Sequence, residues 1–277
     1  MRLAWLSDTH LNFVDERRRR RFVDRVAAHA PDAVLVSGDI ADGWTVVPAL
    51  ELLAARLACP TYFVLGNHDF YGRGRAAVRT DVRAAVRRAG GTQLVYLPDV
   101  DAVPLRPGFA VVGHDGWADG RDGDYAGSAF RPNDFVHIQD FQVFGDGFGA
   151  RDQRLRLMQH LADEAAAHFA RVLPLAAAAY GHVVVVTHVP PFAAASRYRG
   201  RPSGPDVLPF YSSRRVGEAI LGAMAPHPAC HLTVLAGHTH AACRVAPAPN
   251  VDVRTAAAAY GRPRVAGLFT ADDRGLS

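Results

Sequence analysis

The chain has 277 residues, 49% of them hydrophobic and 21% charged, which excludes a disordered or fibrous polypeptide and supplies enough apolar side chain for a sizeable core. All 31 basic side chains are arginine, and a formal charge of only +4 does not by itself point to nucleic acid. Three cysteines, Cys59, Cys230 and Cys243, stand far apart with no C-x-x-C pair, which argues against a disulfide framework or a thiolate zinc site and fits a reducing, cytoplasmic setting. No compositional seam divides the chain, so one domain over residues 1–277 is expected.

Short β-branched runs alternate with Ala/Arg/Leu segments of helical length. Strands are predicted at 3–7, 33–37 and 61–65, with helices near 15–29, 45–57 and 75–89, the rhythm of a layered α/β sheet. The first apolar run, 3–6, is too brief for a signal peptide and leads into Asp8. The arginines at 17–21 follow Glu16, and Phe22, Val23 and Val26 supply the apolar side of the same helix, so they read as a solvated face. Further strands are predicted at 93–97, 109–112, 183–187, 232–235 and 251–255, and helices near 151–171 and 213–224. Two stretches, the Gly- and Asp-rich 113–149 and the Pro-, Arg- and Tyr-bearing 190–213, fit neither period and are predicted as long loops of a functional or mobile kind. The most apolar stretch, 172–186, is cut by Pro174 and Gly181 and falls short of the roughly 20 residues a membrane span needs.

The informative pattern is where the polar residues fall. Five apolar strands run straight into Asp, Asn or His: LAWLS into Asp8-Thr9-His10, AVLVSG into Asp39, TYFVLG into Asn67-His68-Asp69, VVVVT into His188, and LTVLAG into His238-Thr239-His240. At the carboxyl ends of α/β strands, loops converge and ligands bind. One such Asp is commonly a helix cap and one such His a surface residue, but Gly38, Gly66 and Gly237 each precede a candidate ligand, where a close backbone approach would bring it into a shared site. Two Asp, one Asn and four His supply the oxygen and imidazole donors of a dinuclear centre for borderline divalent metals.

Taken together and in order, Asp8-x-His10, Gly38-Asp39, Gly66-Asn67-His68-Asp69, His188 and Gly237-His238-x-His240 resemble the signature of the calcineurin-like metallophosphoesterases, over residues 8–240. Asp69 after Asn67-His68 is similar to the bacterial branch, which includes cyclic-nucleotide phosphodiesterases and small-molecule phosphoesterases. The resemblance implies a four-layer α-β-β-α sandwich with two mixed β-sheets and a dinuclear metal site at the strand C-terminal ends. It implies that Asp8, His10, Asp39 and His240 bind one metal and that Asp39, Asn67, His188 and His238 bind the other, with Asp39 bridging. The expected function is hydrolysis of a phosphodiester or phosphomonoester of a small, nucleotide-like substrate by a hydroxide that two metals activate.

No G-x-S-x-G elbow, P-loop or cysteine in a nucleophile setting competes with that reading. His68, beside ligand Asn67, is the expected proton donor, with Asp69 expected to fix its tautomer. The donor set contains no thiolate and four imidazoles, which favours Mn, Fe or Zn over magnesium alone. His114, after the strand at 109–112, together with Tyr71, Arg197 and Tyr211, are candidate substrate contacts; the plain alternatives are a surface histidine, core packing and solvated loop arginines. Asp119, Asp122 and Asp124 do not match the calcium-loop spacing and read as turn residues. A nuclease of the DNA-repair branch and a non-catalytic metal-binding scaffold are the competing readings; the former would show salt-sensitive DNA binding.

Overall fold

The computed structural model describes residues 1–272 and 275–277. In chain order the strands are β1 (Arg2–Leu6), β2 (Ala33–Ser37), β3 (Thr61–Val64), β4 (Leu94–Tyr96), β5 (Val103–Arg106), β6 (Phe109–His114), β7 (His182–Thr187), β8 (Arg197–Tyr198), β9 (Arg201–Pro202), β10 (His231–Ala236), β11 (Cys243–Ala248), β12 (Val251–Thr255), β13 (Gly267–Asp272) and β14 (Gly275–Leu276). The helices are α1 (Glu16–Ala28), α2 (Val46–Arg56), α3 (Arg75–Arg88), α4 (Asp134–His137), α5 (Gln139–Gln142), α6 (Ala150–Ala179), α7 (Leu208–Tyr211) and α8 (Arg214–Met224).

Among the described residues, two six-stranded sheets form, in the orders β14-β13-β1-β2-β3-β4 and β11-β12-β10-β7-β6-β5. Strands β1 to β4 run parallel, as do β6, β7, β10 and β12, while β13, β14, β5 and β11 pair antiparallel at the margins, so both sheets are mixed. Side-chain alternation builds the layers. Leu3, Trp5, Leu35, Val64, Val184, Val186 and Leu235 point between the sheets, whereas Ala4, Leu6, Val34 and Val36 face the layer of α1, α2 and α3. Val183, Val185 and Val234 face α6 and α8. Strands covered on both faces read as unbroken apolar runs, which is why VVVV and AVLV carry no polar alternation. The result is the expected four-layer α-β-β-α sandwich.

Helix α6 runs through Pro174 to Ala179, well past the predicted end near 171. The missing N–H and the ring clash cost about 3 kcal/mol, but Val172, Leu173, Ala176 and Ala177 are buried against the second sheet and keep the helix going. No described helix is long and apolar enough to cross a membrane. Both long loops contain local structure, α4 and α5 in the first and the β8–β9 hairpin with α7 in the second. Asp119 and Asp124 do accept turn hydrogen bonds, from the Arg121 and Gly127 N–H groups. Asp119 also accepts from the Arg215 N–H at 2.8 Å, and Asp122 from Ser212 Oγ at 2.8 Å, so the first loop is stapled to the end of the second.

Beneath these loops Asp115, 1% exposed, accepts from Arg79 Nη2 at 2.8 Å, Tyr96 Oη at 2.5 Å and the Leu65 N–H at 2.8 Å. Burial would raise its pKa, but the Arg79 guanidinium, His114 and the hydrogen bonds from Tyr96 and Leu65 together outweigh that effect and hold it below the ordinary 3.8. A folded-state pKa below the unfolded one stabilises above the unfolded value, and that contribution is lost as pH falls through the folded one. Asp115→Ala, which strands the guanidinium and the phenol, is expected to lower stability by about 3 kcal/mol at neutral pH. Urea denaturation at pH 7 and pH 3 checks this, the deficit being smaller at pH 3.

Candidate metal centre

The carboxyl ends of β1, β2, β3, β7 and β10 lie on one edge of the facing sheets, and the residues that follow them turn back sharply. Among the described residues, seven non-glycine positions have left-handed φ, and five of them are Asp8 (48°), His10 (43°), Asp39 (52°), His238 (70°) and His240 (53°). Each such residue costs about 1–2 kcal/mol, and such strain gathers where function needs a side chain re-aimed. The turns are tied to one another through their backbones, Asp8 N–H to Gly38 C=O and His10 N–H to Asp39 C=O, both at 3.0 Å.

Asp39, 1% exposed, is the junction. Its Oδ1 lies 3.3 Å from His188 Nε2 and accepts the His68 N–H at 2.9 Å, while Oδ2 lies 3.7 Å from His10 Nε2. One carboxylate thus faces two donor sets. The first comprises Asp8, His10, Asp39 and His240, whose donor atoms all lie within 4.8 Å of one another. His10 Nε2 and His240 Nε2 approach to 3.0 Å, and Asp8 Oδ1 is 3.4 Å from His240 Nε2. The second set gathers around Asn67 Oδ1, with His188 Nε2 at 3.0 Å and His238 Nδ1 at 3.1 Å.

Hydrogen bonds behind the site fix which atoms face it. His188 donates Nδ1–H to Ser37 C=O at 2.8 Å, and His238 donates Nε2–H to Phe210 C=O at 2.9 Å, which leaves Nε2 and Nδ1 respectively as donors to a cation. Asn67 Nδ2 donates to Asp134 Oδ1 at 2.7 Å, so its carbonyl oxygen turns inward. Burial lowers the His10 pKa to about 4 and lowers that of His238 as well, so both rings are neutral. Burial works against charge on His188 too, yet Asp39 and Asp8 lift its pKa to about 10, a measure of how strongly the carboxylates demand a positive charge there. Lone pairs converging at about 3 Å need a cation between them. The donor chemistry therefore fits two metal ions of the nitrogen- and oxygen-preferring kind.

The glycines of the motif make room for this. A Cβ on Gly66 would stand 2.2 Å from Asp39 Oδ1, and one on Gly237 would stand 2.2 Å from Asp8 Oδ2.

The remaining predicted residues divide. His68 stacks on Tyr71 at 4.1 Å between ring centroids, meets His10 edge-on at 4.6 Å, and holds Nε2 3.3 Å from the Tyr260 hydroxyl. Tyr211 lies 4.9 Å from the His238 ring. Tyr71 and Tyr211 both line a cavity of about 510 Å³ over the metal ligands. Asp69 does not reach His68: in the short 3₁₀ turn His68–Phe70 successive side chains diverge, and the Asp69 carboxylate accepts the Ala41 and Gly66 N–H groups, each at 2.8 Å. Burial, and then the Asp39 charge, pushes its pKa well up. It clamps the β2 and β3 loops together. His114 is neither at the metals nor exposed; it shares the face of Val112 on β6 and packs 5.4 Å from the His168 ring beneath α6. Arg197 folds back onto Ala194 C=O at 2.7 Å, and its neighbours Tyr198 and Arg199 line the cavity instead.

Residues without a sequence signal complete the wall. Phe130, Arg131 and Asp134 come from the first long loop, and Tyr260 from the segment after β12. Asp134 Oδ1 accepts from Asn67 and also from Tyr71 Oη at 2.8 Å, so one carboxylate orients a metal ligand and the ring beneath His68. Two substitutions test the arrangement. Gly66→Ala is expected to displace Asp39 and abolish metal retention, read by metal analysis after gel filtration. Asp134→Ala frees the Asn67 amide and is expected to weaken binding of the second metal about 10- to 100-fold, as loss of a group orienting a ligand does, while the first is retained; metal-buffered titration reads both sites.

Among solved structures, a dimetal phosphatase from Danio rerio superposes with a TM-score of 0.61 at 15% identity, covering 100% of this chain and 96% of that one. A phosphopantetheinyl hydrolase from Mycobacterium tuberculosis superposes with a TM-score of 0.64 at 16% identity, covering 93% and 89%. Both share the fold. No curated protein matches the sequence. The family description "calcineurin-like phosphoesterase" matches residues 1–242, a span that holds all seven side chains of the two donor sets, and the chain belongs to that family.

Proposed function

We propose that the protein is a dinuclear metal-dependent hydrolase of small phosphoesters, in which Asp8, His10, Asp39 and His240 hold one ion and Asp39, Asn67, His188 and His238 the other. The observation that carries this reading is the Asp39 carboxylate, whose two oxygens face separate donor sets. When bound, two such ions supply Lewis acidity and an activated water for in-line displacement at phosphorus. The donor set suits Mn, Fe or Zn.

The chain's own residues do the rest. His68, held between the Tyr71 ring and the Tyr260 hydroxyl, carries a proton at Nε2 for the departing alkoxide. Arg131 and Arg199 line the cavity and offer guanidinium groups to phosphoryl oxygens. Phe130, Tyr198 and Tyr211 give the organic group flat apolar walls, which supports a nucleotide-like or other planar substituent. The volume of about 510 Å³ suits a small molecule. The free thiols Cys59, Cys230 and Cys243 support a reducing, cytoplasmic setting.

Hydrolysis of bis(p-nitrophenyl) phosphate and p-nitrophenyl phosphate by Mn²⁺-reloaded protein tests the reading, with Asp39→Asn as the control. Turnover that vanishes in the control is expected, and the ratio of the two rates assigns diester or monoester preference. Absence of turnover on both, with two metals bound, sinks the hydrolase and favours a scaffold. His68→Ala is expected to lower kcat by about 10²- to 10⁴-fold with both metals retained; loss of metal would instead make His68 a support of the site.

A further inference from the structure

On the far side of the loop that carries Tyr260, a separate concavity of about 540 Å³ is lined by Arg18, Arg21, Arg25, Arg262 and Arg264. Three of the five stand at i, i+3 and i+7 of α1, on one face, in a row about 10 Å long. The other two line the same concavity from the loop. All five are exposed.

Many other arginines meet carboxylates, among them Arg56 with Asp24, Arg83 with Asp99, Arg88 with Glu51 and Arg171 with Asp101, and those that meet only carbonyls, such as Arg19, Arg151 and Arg197, do not gather in one concavity. Of the five here, Arg18 donates to Gly261 C=O at 2.7 Å, Arg25 to Pro263 C=O at 3.4 Å and Arg264 to Ala257 C=O at 3.1 Å. These carbonyls hold the guanidinium groups in place without neutralising them. Among the described residues, no carboxylate pairs with any of the five.

We propose that this concavity is a second binding site, distinct from the metal centre, for a small ligand carrying three or more phosphate groups. Guanidinium forks match phosphate oxygens bidentately. A single orthophosphate would leave most of the five charges facing one another unpaired, whereas a short chain of phosphates matches them in number and length. A nucleic-acid strand needs a longer track, and beyond Arg25 the helix continues as Val26, Ala27 and Ala28. The site is independent of the reaction at the metal centre, yet its occupant would brace the loop that sets Tyr260 against His68.

Isothermal titration of the full chain with inorganic tripolyphosphate is the test, run beside Arg21→Gln/Arg262→Gln. Neither guanidinium hydrogen-bonds within the described residues, so the unliganded melting temperature of the variant is expected to match the parent, and Arg21→Gln alone serves if it does not. Both proteins are titrated after metal removal by chelation, so that phosphate binding through metal ions contributes to neither. The expected result is a loss of about tenfold or more in affinity, with a weaker dependence of that affinity on salt. Equal affinity in parent and variant overturns the site. Orthophosphate binding as tightly as tripolyphosphate overturns its preference for clustered phosphates. A single-stranded 20-mer that binds tighter than tripolyphosphate, and through the same two arginines, overturns the small-ligand assignment in favour of nucleic acid.

Discussion

A carboxylate sealed between two sheets is costly, and Asp39 is such a group. Removing an ion from water costs several kcal/mol after relaxation, and among the described residues no arginine pairs with Asp39; the groups facing it include imidazoles and a backbone N–H from His68. The surrounding architecture answers that one charge. His188 and His238 arrive from the second sheet, His10 and Asn67 from the first; the Asn67 amide and the His188 and His238 rings are hydrogen-bonded on their far sides, so that their lone pairs turn inward. The apposition of the sheets and the electrostatics of the site are therefore one problem. The inter-sheet core of Leu35, Val64, Val186 and Leu235 sets the spacing at which these groups can share a cation.

The clustering of the seven candidate donors was legible because strands buried on both faces stay largely apolar until they end. In AVLVSGD and VVVVTH the first polar side chains mark the sheet edge, and parallel neighbours bring those edges together. Less was legible in the loops. Asp134 lies in a stretch without period, and its role shows only in the hydrogen bonds it accepts from the Asn67 amide and the Tyr71 hydroxyl. Tyr260 follows β12 at a turn, where nothing in its neighbours distinguishes a site residue from a surface phenol. Two expectations failed for geometric reasons. His114 ends a strand as the ligands do, but falls on the helix-facing parity; Asp69 adjoins His68 in sequence but points away from it within a tight turn.

The loop walls show how a shared scaffold becomes selective. Stapling by Asp119 and Asp122 joins the first long loop to the second, so Phe130, Arg131, Tyr198 and Tyr211 form a common rim. The strands below hold the donor sets, and the stapled rim walls the cavity above them. Sequence change in either loop can then alter the substrate while leaving the metal ligands where they are.

His10 and His240 meet at 3.0 Å although 230 residues separate them. Bringing such remote positions together is an entropic expense of folding that grows only slowly with chain length, but it has to be met before the donor set exists. A cation held as proposed would therefore act as a clasp across nearly the whole polypeptide. It rewards only the finished fold, so metal concentration enters the folding equilibrium itself through mass action. Partly folded chains, which hold Asp8 and His10 without His240, have no comparable grip on the ion. On that proposal, loading with metal and completion of folding would be a single event.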